Sequence, residues 1–145
     1  MTKKLAVITG ASSGIGEATA KTFSNAGYPT LLLARRLEKM ESFNLTNSIC
    51  KKVDVRNRDA LVSAIKEAEK QYGPTDMIFN NAGVARLADI ASQKPDEWDE
   101  MIAVNTNGVM NGIYAVMNDM KSRKSGTIVN MSSIAGRKVY EDHTV

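Results

Sequence analysis

Five short runs rich in apolar residues alternate along the chain with longer amphipathic stretches, and that alternation permits few folds. Strands buried on both faces read as nearly continuous apolar runs. They occur where a parallel sheet is covered by helices on either side. Leu5 to Thr9, Thr30 to Ala34, Ser48 to Val53, Met77 to Asn80 and Thr127 to Met131 are the predicted strands. Ile15 to Ala26 is a predicted helix, with Ile15, Ala18, Phe23 and Ala26 near one face. Gly27 and then Pro29 stop it, and Gly73-Pro74 stops a second helix over Asn57 to Tyr72. A long helical stretch runs from about Pro95 to about Ser122. Pro95 suits its first position, where a missing N–H costs nothing. Asp96, Glu97, Asp99 and Glu100 then meet the positive end of the helix dipole, and Lys121, Arg123 and Lys124 the negative end. Right-handed crossovers make this an α/β chain with a Rossmann-type, doubly wound parallel sheet. The fifth strand is expected in the interior, since Ile128 and Val129 would otherwise sit on an unprotected edge. Ala135 to Val145 predict no regular element, and the chain reads as C-terminally incomplete.

The bulk numbers narrow the function. A length of 145 residues suits one domain, 1–145. With 43% hydrophobic and 24% charged residues it is neither disordered nor fibrous. A net charge of +3, without a dense Lys/Arg stripe, argues against nucleic acid as a partner. The single cysteine, Cys50, rules out an intrachain disulfide, fits a reducing cytoplasm and reads as a small buried strand residue. No apolar run reaches the roughly 20 residues of a membrane span, and the chain enters its first strand without a signal peptide. The eight methionines read as core filler, Trp98 as packing for the start of the long helix, and no metal site is expected.

Between the first strand and its helix lies Thr9-Gly10-Ala11-Ser12-Ser13-Gly14-Ile15-Gly16. Glycines here permit a tight turn and let backbone approach a pyrophosphate, while the helix start offers free N–H groups and a positive dipole end. The spacing is Gly-x-x-x-Gly-x-Gly, unlike the general dinucleotide fingerprint Gly-x-Gly-x-x-Gly. At this spacing the loop resembles the short-chain dehydrogenase/reductase family. Asp54-Val55 is similar to that family's adenine-contacting pair, and Asn80-Asn81-Ala82-Gly83 to its signature after strand four. Asn105 falls where the family has a catalytic asparagine, and Gly126 to Ser133 resembles the strand that delivers its catalytic serine.

The resemblance implies a nicotinamide cofactor held by Gly10, Ser12, Ser13, Gly14, Ile15, Gly16, Asp54, Val55, Asn81, Ala82 and Gly83. Family members that use NAD usually carry an acidic residue at the end of strand two. Ala34 stands there, followed by Arg35 and Arg36, a pattern that favours the 2′-phosphate of NADP over NAD. The alternative for Arg35-Arg36 is a solvated start to the next helix.

The family's chemistry uses a serine to hold the substrate oxygen, a tyrosine to move the proton and a lysine to depress the tyrosine pKa. Ser133 is the expected serine, with Ser132 as runner-up; the alternative is that both hydroxyls cap the strand end. Asn105 is expected to hold a water that relays protons, and Gly108 and Gly112 to let its helix approach the sheet. Tyr140 comes too early for the tyrosine, its partner four residues on is Thr144, and His143 reads as a loop residue. The Tyr-x-x-x-Lys motif is therefore absent from this stretch, which by itself is expected to show little activity. About seven strands are expected in a complete sheet of this type. The whole protein is expected to be an NADP-dependent oxidoreductase for a small alcohol or carbonyl compound, forming a homodimer or homotetramer. The other reading is a non-catalytic NADP(H)-binding module. Ala34-Arg35-Arg36 and Asp54 to Arg58 are similar to members that oxidise serine and other 3-hydroxy acids.

Overall fold

Strands β1 (Leu5–Thr9), β2 (Thr30–Ala34), β3 (Ser48–Lys52), β4 (Thr75–Asn80) and β5 (Thr127–Asn130) pair in parallel in the order β3-β2-β1-β4-β5. The computed structural model describes residues 3–138, 140 and 141. Helices α1 (Gly14–Asn25), α2 (Leu37–Glu41), α3 (Arg58–Tyr72), α4 (Pro95–Ile102) and α5 (Gly108–Arg123) follow the strands. A π-helical turn, Ala103–Asn107, joins α4 to α5, and a 3-10 turn, Ile134–Gly136, follows β5.

β1 and β2 are buried along their whole length because both faces are covered. Leu5, Val7, Leu31 and Leu33 pack with Leu61 and Ile65 of α3 and Val116 of α5. Ile8 and Leu32 point to the other face, with Ala20 of α1 and Met40 of α2. Each such side chain contributes roughly 1.5–3 kcal/mol on burial, so these central strands anchor the loops that follow them.

Several expectations are corrected. The single long helix is three pieces, because the π turn interrupts it at Asn105. β4 starts at Thr75, two residues before the predicted Met77. Thr75 is fixed by neighbours remote in sequence: its N–H donates to Glu69 Oε1 (3.1 Å), and its carbonyl accepts from Arg123 Nη2 (2.7 Å). β5 is the outer strand of the five described, with Val129 42% exposed; the interior place expected of it belongs to a complete sheet of about seven strands. Cys50 is only half-buried, on the opposite outer strand; burial pushes its thiol pKa up, and Glu41 adds to this, so it is no activated nucleophile. Met40, Met101 and Met120 are core filler, but Met110 and Met117 are exposed on α5. Trp98 is half-buried at the start of α4, where its indole N–H donates to Gln93 Oε1 (2.7 Å). Tyr140 lies in no helix or strand, while His143, Thr144 and Val145 lie outside the described residues. Among the described residues, no helix is long and apolar enough to cross a membrane.

Candidate functional site

The strand order places β1 between β2 and β4, so the crossovers diverge at the β1/β4 seam. In sheets of this kind a crevice opens there, outside the carboxyl ends of the strands. The segments after β1, β2, β3 and β4 meet around one cavity of about 600 Å³ at this place. Its walls include Gly10, Arg36, Asp54, Ala82 and Val104, and it reaches Met131 beyond β5.

Thr9 fastens the seam. Its hydroxyl donates to the Phe79 carbonyl (3.3 Å) and accepts from the N–H groups of Asn81 (3.0 Å) and Ala82 (3.1 Å). The Asn81 amide reaches back to the Thr9 carbonyl at 3.1 Å. Gly10 has φ +65°, and a Cβ there would stand 2.7 Å from the Ala82 Cα. A Cβ on Gly16 would overlap the Gly10 carbonyl oxygen and come within 2.6 Å of Asn81 Nδ2. These glycines let the loop, the first turn of α1 and the segment after β4 lie against one another. Gly14 differs: its φ is +56°, and a Cβ there would meet nothing within 4 Å. The loop is thus tight on its protein side and open beside Gly14. Ser13, at the N-cap, makes no side-chain cap hydrogen bond, and the first-turn amides of a helix lack intrahelical partners. A phosphate-bearing ligand fits such a cradle.

The two arginines after β2 behave differently. Arg36 folds back over the glycine loop, donating to Ser12 Oγ (3.1 and 3.3 Å) and Ser13 Oγ (2.8 Å). It also stands at the N-cap of α2, where its charge opposes the helix dipole. Stabilising that helix does not explain its place, whereas an anion on the loop would. Arg35 is 58% exposed and pairs with Glu100 of α4 at 3.7 Å.

After β3, Asp54 is gripped by Arg56, whose Nη2 lies 2.6 Å from its Oδ2. The Arg56 hydrogen bond holds the Asp54 carboxyl below its ordinary pKa, against a smaller opposing effect of burial. Val55 is buried against Gly108, where a Cβ would stand 2.7 Å from Val55 Cγ2.

Asn105 sits in the π turn, and its side-chain amide clasps one residue: Oδ1 accepts from Val84 N–H (2.9 Å) and Nδ2 donates to the Val84 carbonyl (2.8 Å). It thereby fixes the segment just after Gly83. Ser133 lies on the same carboxyl edge, beyond the cavity wall; its hydroxyl accepts the Ala135 N–H (3.2 Å) and caps the 3-10 turn.

Three residues that sequence reasoning left without a role hold the site. Besides Thr9, Asn111 is buried on α5, donates to the Val55 carbonyl (2.8 Å) and accepts from Arg58 Nε (2.8 Å). Its signal was a polar residue between Gly108 and Gly112 on the sheet-facing side of a helix. Asn80 donates to Asn130 Oδ1 (2.9 Å), tying β4 to β5, while its own Oδ1 faces Gly112. Among the described residues, no group of His, Cys, Asp and Glu is arranged to hold a metal ion.

The family model described as short chain dehydrogenase matches residues 4–145. An uncharacterized oxidoreductase of Listeria innocua is 43% identical over 143 residues, covering 94% of this chain and 58% of that protein. The chain thus spans somewhat over half the length of such curated relatives. Among solved structures, the serine dehydrogenase of Escherichia coli superposes with a TM-score of 0.91 at 28% identity, covering 97% of this chain and 67% of that one. An alcohol dehydrogenase of the archaeon Thermococcus sibiricus, complexed with 5-hydroxy-NADP, gives a TM-score of 0.90 at 28% identity, covering 97% and 63%.

Proposed function

The chain belongs to the short-chain dehydrogenase family, and from that premise we propose that the whole protein is an NADP-dependent oxidoreductase acting on a small alcohol or carbonyl compound. When bound, the nicotinamide cofactor supplies or takes up the hydride. Residues 1–145 provide its binding domain. Gly10, Gly14, Ile15 and Gly16 line the loop that takes the pyrophosphate, Asp54 and Val55 flank the adenine, and Asn81, Ala82 and Gly83 form the floor beneath the cofactor. Ser12, Ser13, Arg35 and Arg36 take the 2′-phosphate. The observation that carries this reading is Arg36, stretched over Ser12 and Ser13 at the cavity rim, where no acidic side chain ends β2. A carboxylate there would repel a 2′-phosphate, whereas a guanidinium binds one. The 5-hydroxy-NADP in the Thermococcus structure is consistent with it.

Ser133 holds the substrate oxygen and Asn105 serves the proton relay. The serine named in the Escherichia coli relative makes 3-hydroxy acids the first substrates to try. The exposed stripe of Met110, Tyr114 and Met117 on α5 supports assembly as a homodimer or homotetramer, and a single half-buried cysteine suits the cytoplasm. A fluorescence titration of the full-length protein with NADPH and NADH tests the reading. The expected preference for NADPH is about tenfold or more, the worth of one hydrogen bond to a charged group. Equal affinities would overturn the assignment to NADP.

A second reading, a non-catalytic NADP(H)-binding module, draws on the structural hydrogen bonds that Ser133 and Asn105 both make. Tight NADPH binding with no oxidation by any carbonyl in a broad panel would favour it.

A further inference from the structure

Glu100 lies on α4, outside the strand–loop–helix units that build the cradle, yet its carboxylate is shared by two arginines. Oε2 accepts from Arg86 Nε (3.2 Å) and Nη2 (3.0 Å), and Oε1 stands 3.7 Å from Arg35 Nη1. The Glu100 side chain is 22% exposed, so it is held rather than trailing in solvent. Arg36, by contrast, donates to the neutral hydroxyls of Ser12 and Ser13 and pairs with no carboxylate among the described residues. The two arginines that follow β2 are therefore unequal: one is ready for an anion, and the other is partly neutralised by a carboxylate from another element. At 3.7 Å the Arg35–Glu100 contact is an ionic attraction without a hydrogen bond, so the Arg35 guanidinium can leave it for a stronger partner.

We propose that Glu100 is a specificity-determining residue for the cofactor: held in place by Arg86, it competes with the 2′-phosphate of NADP for Arg35. The chain's preference for NADP is then lower than Arg35 and Arg36 alone would set, and Glu100 adjusts it from the α4 side. This rests on the reading that the cavity takes NADP with its 2′-phosphate beside Arg35 and Arg36.

Calorimetric titration of the full-length protein with adenosine 2′,5′-bisphosphate and with 5′-AMP tests the inference without requiring turnover. Glu100→Gln should bind the bisphosphate about threefold more tightly, the scale of a partly exposed ion pair, with 5′-AMP affinity unchanged. Glu100→Ala should show the same gain, and matching circular dichroism spectra would exclude a folding effect. The gain should vanish in the Arg35→Gln background, because the cycle isolates the Arg35–Glu100 coupling. It should also shrink toward 1 M salt, where the screening length falls to about 3 Å. Unchanged or weaker bisphosphate binding in both Glu100 variants, or a gain that persists without Arg35, would overturn the proposal. If the unmodified protein fails to distinguish bisphosphate from 5′-AMP, the NADP reading itself falls and takes this inference with it.

Discussion

At the carboxyl ends of β1 and β4 the polar groups are interlocked. The Thr9 hydroxyl alone takes part in three hydrogen bonds across the seam, and Gly10 and Gly16 leave no room for a methyl group. At the end of β5, on the same edge of the sheet, Val129 is 42% exposed, Met131 39% and Ile134 68%, and among the described residues the Ser133 hydroxyl holds one neighbouring amide. The first region is made rigid by the strands that carry it. The second has no comparable interlock among the described residues. On the proposed reading, holding a nucleotide and positioning a reacting oxygen fall to these two different regions, and substitutions should affect them differently.

Ser133→Ala separates them most sharply. Steady-state turnover by the full-length protein should fall about 10²–10³-fold, the cost of one donor to a developing oxyanion. Its denaturant midpoint should move by no more than the equivalent of about 0.5 kcal/mol, as for exposed sites generally. A large loss of stability would show that the β5 end is as rigid as the seam. Gly16→Ala probes the other side: the added methyl meets backbone that cannot give way, so urea unfolding should register about 1–3 kcal/mol of destabilisation, together with weakened nucleotide binding. A harmless Gly16→Ala would break the comparison outright. Thr9→Val removes the fastening while keeping shape. Leaving the Asn81 and Ala82 amides without that acceptor should cost about 1–2 kcal/mol by the same measurement.

The smallest effect concerns Asp54. Arg56 holds its carboxyl below the ordinary value, so the pair stabilises the fold above the usual carboxylate pKa. That contribution is lost as pH falls through the lowered folded-state value, that is, below about pH 4. In Arg56→Gln, carboxyl chemical shifts should place the Asp54 titration back near the ordinary value. An unmoved titration would mean that Arg56 is not its cause.

How far the sequence revealed this arrangement depended on where the partners lay. β1 and β2 were legible to the residue, because burial on both faces demands continuous apolar runs bounded by glycine, proline or charge. The glycine loop was legible through its spacing. Thr9 and Asn111 were not, since their partners lie roughly 50 to 70 residues away and a lone threonine or asparagine carries no sign of them. The break at Asn105 was not legible either, because periodicity alone made α4 and α5 one helix. A single π turn leaves the apolar pattern on either side intact.

That π turn has a consequence for how the gene can change. Such a turn is an α-helix carrying one surplus residue, and each residue advances an α-helix by about 100°. Deleting one residue within Ala103–Asn107 would remove the surplus and keep α5 in phase, whereas straightening the turn at constant length would rotate all 16 residues of α5 by about that angle. Gly112 would leave Asn80, Gly108 would leave Val55, and Asn111 would lose the carbonyl it binds. The segment works as an indexing notch that sets the rotational phase of everything downstream. A one-residue deletion in the turn is absorbed where it occurs, whereas one made inside α5 is read by the rest of that helix.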